Sequence, residues 1–180
     1  MDNPSTLLTA IMFVTVLSMG IGNLLMACAE IAGGQRQPPP ERLHLSWIIL
    51  LLLVMLNLFW ETTAILDVED WAFLNFLYMI AGPMVLLFAS GLIIAPVVES
   101  DTPHGHYFSL SGRFFLMLAI HGAWLLGLDV QFDALTPASA LDGALLALFA
   151  VLAFSKSYQL HLAGNGLTWV GFMASLMLSL

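Results

Sequence analysis

The sequence predicts an all-α, polytopic integral membrane protein, with a single transmembrane domain over residues 1–180 folded as a compact bundle of six helices with short loops. Composition is the first reason. Hydrophobic residues make up 60% of the chain, charged residues make up 9%, and the mean hydropathy is +0.94. Soluble domains have about 45–50% apolar and about 25% charged residues. The second reason is a series of six apolar stretches, each close to the roughly 20 residues that a helix needs to cross a bilayer.

The placement of positive charge is the third reason, and it also predicts the orientation. The Lys and Arg residues of the chain are Arg36, Arg42, Arg113 and Lys156. When the six stretches alternate across the bilayer, all four fall on one side, in the segments 29–43, 99–113 and 154–158. Because basic residues are retained in cytoplasmic loops, we expect these segments in the cytoplasm and both termini outside.

The first predicted span covers residues 6–28. Asn3 is suited to cap this helix, and Pro4 is suited to its first helical position. No basic region of a cleavable signal peptide precedes the span, so we expect it to be retained. The segment 35–42 contains three consecutive prolines, which cannot donate backbone hydrogen bonds, and this predicts an extended loop.

The second and third spans are predicted over residues 44–66 and 71–98. Trp47 lies near the inner end of the second span, where an aromatic side chain is typical of an interfacial anchor. The third span contains Gly82 followed by Pro83, a pair that predicts a kink and therefore a hinge.

The last three spans are predicted over residues 108–128, 137–154 and 158–180. Thr136 precedes the fifth span as its expected cap. The sixth is interrupted by the sequence Gly-Asn-Gly at 164–166, which we expect to bend or break the helix. A tail that does not cross the membrane, giving five crossings, is therefore the alternative to six.

Five polar residues inside four different spans are the candidates for function. They are Glu61 and Asn57 on the second span, Asn75 on the third, His121 on the fourth and Asp142 on the fifth. Counting about 1.5 Å of rise per residue places Glu61, Asp142 and Asn75 about 6–8 Å below the outer surface and His121 about 10 Å below it. Ionisable residues inside a membrane are costly and usually mark a functional site.

These residues predict a channel or secondary transporter for protons, a cation or a small polar solute. Glu61 and Asp142 would bind the charged species, His121 would titrate with them, and Asn57 and Asn75 would supply hydrogen bonds. Asn57 precedes Glu61 by four residues, so the two share a helix face and are expected to form a hydrogen bond. The alternative is structural. The carboxylates of Glu61 and Asp142 would reach the lipid headgroups, and His121 would only form a hydrogen bond to a neighbouring helix.

A second function class is a non-catalytic accessory or assembly subunit of a larger membrane complex. Gly143, Ala147 and Ala150 share one face of the fifth span, and small residues allow helices to approach closely, within a homo-oligomer or against other membrane subunits. The lipid bilayer is the expected partner of the apolar spans. Nucleic acid is excluded as a partner because the chain has no basic stripe.

An intramembrane enzyme or haem protein is the third class considered. His44 and His161 each begin a helix at comparable depth, the arrangement in which two imidazoles ligate a b-type haem. His104 and His106 in one loop offer two ligands to a divalent metal, which is too few to define a site. Lys156 lacks an embedded counter-ion for a retinal Schiff base. Hydrolase, zinc-protease and nucleotide-binding motifs are absent from the sequence, and no cofactor is indicated.

Overall fold

A computed structural model of the protein describes residues 4–35, 40–63, 72–95, 104–131 and 137–178. Within these ranges the chain is helical and has no strands, which confirms the predicted all-α class. The six helices are α1 (Pro4–Ala32), α2 (Arg42–Trp60), α3 (Phe73–Ile93), α4 (Gly105–Gln131), α5 (Pro137–Phe154) and α6 (Tyr158–Leu178). The predicted caps Asn3 and Thr136 lie outside the described residues.

Four of the helices, α1 to α4, are long and apolar enough to cross a membrane, and α5 is a shorter apolar helix. The surface that these helices present is also apolar. Leu74 on α3 is 74% exposed, Val170 on α6 is 68% exposed and Phe154 at the end of α5 is 85% exposed. A water-soluble protein seldom leaves so many large hydrophobic side chains uncovered. The protein therefore has the surface of a membrane protein.

The α-helical part of α2 is shorter than the predicted span of 44–66. It ends at Trp60, and residues 61–63 continue as a single turn of 3₁₀-helix. Glu61 is the C-cap residue, and its backbone N–H donates to the Asn57 carbonyl. Its side chain is exposed. Glu61 therefore lies at the C-terminal end of the α-helix.

Helix α6 runs without a break through the Gly-Asn-Gly sequence, so the expected break is wrong. Gly164 is buried against Leu152 of α5, and a Cβ atom at this position would lie 2.8 Å from Leu152 Cδ1. Thr168 Oγ1 donates to the Gly164 carbonyl at 2.8 Å, and Ser46 Oγ of α2 donates to Asn165 Oδ1 at 2.8 Å. Close packing and a hydrogen bond between helices thus compensate for the low helix propensity of this segment.

Helix α3 also continues through Gly82 and Pro83, both of which are buried. A Cβ atom on Gly82 would lie 2.5 Å from the ring of Trp124 on α4, so glycine is needed here for a close approach of two helices. Two hydrogen bonds between Tyr78 and Trp124 stabilise the same contact. The Tyr78 hydroxyl donates to the Trp124 carbonyl at 3.1 Å, and Trp124 Nε1 donates to the Tyr78 carbonyl at 2.7 Å. The predicted hinge residues are therefore part of a packed contact.

Candidate ligand-binding cavity

A cavity of about 230 Å³ lies between α2, α4, α5 and α6, and Leu86 of α3 contributes to its wall. Most of the lining is aliphatic or aromatic. The polar side chains that line it are Asn57, Glu61, His121, Asp142, Thr168 and Ser175, together with the indole of Trp47. Four of the five residues that the sequence singled out therefore face one space, although they come from three separate helices. An apolar cavity with a few converging polar groups is the usual form of a binding site.

The mouth of the cavity carries the two carboxylates. Asn57 Nδ2 donates to Glu61 Oε1 at 2.7 Å, which is the hydrogen bond expected from their i,i+4 spacing. Asp142 is half-buried on α5 and lies close enough to Glu61 and Asp129 for their charges to repel its own. A cation at this position would relieve that repulsion.

His121 lies on the wall of the cavity and is only 6% exposed. Its ring is stacked on Trp124 with 5.2 Å between the centroids, and it interacts with the backbone of Gly82. Within the part of the chain that the structure describes, Nδ1 is buried and has no hydrogen-bond partner. His121 therefore contributes its ring to the cavity wall and also contacts α3 through Gly82.

The floor of the cavity is aromatic. Trp47 is 1% exposed, and its ring centroid lies 4.9 Å from Phe115, 6.2 Å from Phe114 and 6.3 Å from Phe149. Trp47 Nε1 is buried beside the Tyr107 hydroxyl, with which it interacts. Trp47 is thus a core residue, which corrects its prediction as an interfacial anchor. Sequence reasoning missed its role because a tryptophan near a helix end is typical of both environments.

The distance between mouth and floor follows from the helix geometry. Asn57 and Trp47 are separated by about 15 Å along α2 at about 1.5 Å per residue. This is half of a hydrocarbon core about 30 Å thick. The cavity is therefore a shaft that is charged at one end and closed by aromatic rings at the other.

Asn75 does not join this group. It is exposed on α3, and its Oδ1 accepts a hydrogen bond from Gln131 Nε2 of α4 at 3.3 Å. The sequence predicted a similar depth for Asn75 as for Glu61 and Asp142, but Asn75 does not line the cavity.

The histidines proposed as haem ligands are engaged in hydrogen bonds. His161 Nε2 donates to the Ser155 carbonyl at 3.2 Å, so Nδ1 is the acceptor for the Tyr107 hydroxyl at 2.8 Å. His44 Nε2 donates to the Ile93 carbonyl at 2.6 Å. Both ring nitrogens of His161 are therefore occupied, and this geometry does not offer the pair of free imidazoles that a haem iron needs.

The structure describes the side chain of one of the two histidines considered as metal ligands. His104 Nδ1 pairs with Glu41 Oε2 at 2.6 Å, and its ring is stacked on Tyr158 with centroids 4.0 Å apart. The side chain of His106 lies outside the described residues. Among the residues that the structure describes, no three His, Cys, Asp or Glu side chains are grouped so that they could hold a metal ion.

Comparisons of the chain with known protein families, with curated proteins and with solved structures find no match.

Proposed function

We propose that the protein is a membrane channel or secondary transporter that binds a positively charged or protonatable solute in the cavity between α2, α4, α5 and α6. One observation carries the proposal. Glu61, Asn57, His121 and Asp142 come from three helices and line a single cavity whose other walls are mostly apolar. A mostly apolar cavity with a few converging polar groups is the usual form of a small-molecule binding site.

The proposal includes six crossings, with both termini outside and the basic segments in the cytoplasm. The lengths of the last two helices support it. At about 1.5 Å per residue α5 is about 27 Å long and α6 is about 31 Å long, close to the thickness of the hydrocarbon core. Their outer faces carry exposed Val151, Val170 and Met177, which suit contact with lipid. In this orientation the carboxylate mouth opens toward the outside.

Electrostatics favours a cation at the mouth. Two carboxylates in a cleft with apolar walls concentrate the negative potential and raise the local concentration of positive solutes. The aromatic floor argues against a permanently open pore, because Trp47 and its phenylalanine neighbours fill the path below the shaft. Passage would require these rings to move, and so we favour a gated channel or a transporter with alternating access.

An accessory subunit is the other function class. The observation that favours it is the outward surface of α5, where Ala144 and Ala147 are both exposed and leave a shallow strip. Small side chains on an exposed helix face permit the close approach of a helix from another protein.

The transport proposal is tested in proteoliposomes loaded with a pH-sensitive dye, with proton and potassium fluxes recorded under an imposed gradient. We expect flux in the unmodified protein and at least a tenfold loss in Glu61→Gln and in Asp142→Asn. Glu30→Gln is the matched control, because this carboxylate is on α1 and does not line the cavity. Flux that is unchanged in both cavity variants would contradict the site.

A further inference from the structure

We propose that the solute is an amphipathic organic amine, bound with its ammonium group near the mouth of the shaft and its apolar body directed toward the aromatic floor. The inference rests on the proposed function and names the class of ligand for the same cavity. It follows from the distribution of chemical groups along the shaft, which changes from two carboxylates at the mouth, through His121, to Trp47 and phenylalanines at the floor.

A dehydrated metal ion does not fit this distribution. Such an ion needs several oxygen ligands at short distance, and within the described ranges no three acidic, histidine or cysteine side chains are grouped to supply them. A bare metal ion would also gain nothing from the long apolar wall. An organic cation uses both parts, because its charge meets the carboxylates and its hydrocarbon leaves water.

The mouth offers the hydrogen-bond acceptors that an ammonium group requires. A primary ammonium has three N–H donors and no acceptor. Glu61 and Asp142 both line the cavity and provide carboxylate oxygens as acceptors. Charge-assisted hydrogen bonds of this kind are roughly twice as strong as neutral ones.

The wall below the mouth is suited to an unbranched hydrocarbon. The cavity is lined by Leu50, Leu51 and Val54 of α2, by Leu118 of α4 and by Leu145 of α5. Each methylene that leaves water for such a wall should strengthen binding about fourfold. The depth of about 15 Å along α2 accommodates a chain of several carbons.

The mouth distinguishes an organic amine from the acyl chain of a lipid. An acyl chain would fill the apolar wall but would leave the carboxylates of Glu61 and Asp142 without a cation, whereas an ammonium group pairs with them. Burying paired polar groups is far less costly than burying unpaired ones. The rings of Trp47, Phe114 and Phe149 at the floor suit an apolar end of the ligand.

The test is isothermal titration calorimetry of the full chain in detergent micelles with three small probes. Hexylamine has the ammonium and an apolar end, aminohexanol adds a hydroxyl at that end, and heptanediol is a neutral molecule of similar length. We expect hexylamine to bind, aminohexanol to bind several-fold more weakly, and heptanediol to bind at least tenfold more weakly. Equal binding of heptanediol and aminohexanol would overturn the assignment of an ammonium, and tighter binding of aminohexanol than of hexylamine would overturn the apolar end.

Variants then locate the ammonium end of the ligand. Glu61→Gln and Asp142→Asn should each weaken aminohexanol about tenfold, while Glu30→Gln should leave it unchanged. The comparison of hexylamine with aminohexanol on the unmodified protein locates the apolar end, and it needs no substitution in the buried core around Trp47.

Flux and amine binding together distinguish a failure of the ligand proposal from a failure of the transport proposal on which it rests. Proton or potassium flux that depends on Glu61 and Asp142, without binding of any amine, would overturn the ligand class and leave the transport proposal standing. A phospholipid that co-purifies in the cavity and is not displaced by aminohexanol would also overturn it. If neither flux nor amine binding responds to the two carboxylates, both proposals fail.

Discussion

The side chain of Asn57 donates a hydrogen bond to Glu61 Oε1 at 2.7 Å from one turn earlier on α2. Glu61 is the C-cap of that helix, where the backbone carbonyls produce a negative potential. A carboxylate is disfavoured at such a position, and the Asn57 amide offsets part of the cost by donating to it. The bond also holds the carboxylate at the mouth of the cavity.

Removal of this bond should affect transport more than stability. We expect Asn57→Ala to reduce flux about threefold to tenfold, because Glu61 keeps its charge but loses its orientation. The free energy of unfolding should fall by only about 0.5–1.5 kcal/mol, as for other single hydrogen bonds. Flux in proteoliposomes and unfolding in micelles measure the two effects. Asn23→Ala on the exposed face of α1 is the control, and equal flux in the two variants would argue against a positioning role.

Two glycines on α3 should respond in opposite ways to the same substitution. A Cβ atom on Gly82 would overlap the Trp124 ring, whereas a Cβ atom on Gly91 meets nothing within 4 Å. We expect Gly82→Ala to destabilise the protein by about 1–3 kcal/mol through overpacking. Gly91→Ala should stabilise it by about 0.5–1 kcal/mol, because alanine loses less entropy in a helix. Thermal unfolding followed by circular dichroism measures both, and identical shifts would contradict the packed contact.

The sequence predicted the helices well because each is a long apolar run with clear end signals. Pro137 and Tyr158 begin α5 and α6 where the sequence analysis placed them. The Asn57–Glu61 bond also followed from spacing alone, since residues four apart on a helix share a face. Contacts within one helix are fixed by its periodicity, and so the sequence contains them.

Contacts between helices were harder to predict. Counting rise per residue gives the depth of a side chain but does not give its direction around the bundle, and Asn75 therefore lies beside Gln131 instead of in the cavity. Propensity predicted a break in α6, but the fit of Gly164 against Leu152 and the bond from Ser46 to Asn165 override it. Both errors arise from tertiary packing, which a single sequence does not encode in any short pattern.

The hydrogen bond between Tyr107 and His161 should contribute to stability. His161 is fully buried, and its Nδ1 accepts from the Tyr107 hydroxyl. We expect Tyr107→Phe to cost about 1–3 kcal/mol, because it leaves a buried acceptor unpaired. In the double variant with His161→Phe the cost should be less than the sum of the two single costs. A double-mutant cycle of unfolding free energies measures this coupling, and strict additivity would show that the bond is not important for stability.

Enlarging the exposed small face of α5 tests the accessory-subunit class. Ala147 is exposed, so Ala147→Leu should leave unfolding within about 0.5 kcal/mol of the unmodified protein. If another membrane protein packs there, the added side chain should abolish its co-purification from native membranes. Met173→Leu on an exposed position of α6 is the control, because it hardly changes the volume of the side chain. A partner retained at full stoichiometry by Ala147→Leu would exclude this face as its binding surface.

The number of crossings can be determined with single cysteines at the ends of the helices, introduced after Cys28→Ser removes the only native thiol. Gln35, Thr63 and Ser157 are exposed residues near helix ends, and Met177 is exposed at the end of α6. With six crossings, a membrane-impermeant maleimide should label Thr63→Cys and Met177→Cys in intact cells. Gln35→Cys and Ser157→Cys should be labelled only after permeabilisation, because they belong to the side that holds the basic residues.

The cysteine at position 177 distinguishes six crossings from five. If α6 turned back into the membrane, Met177→Cys would be labelled from the same side as Ser157→Cys. Labelling from the outside would require the whole of α6 to cross, including Asn165, which is buried with its Oδ1 bonded to Ser46 of α2. That bond pairs the amide oxygen inside the bundle, where an unpaired oxygen would be costly, while Nδ2 is buried without a partner among the described residues. We therefore expect Ser46→Ala to destabilise α6, and labelling of Met177→Cys from both sides in that background would be the measurable sign.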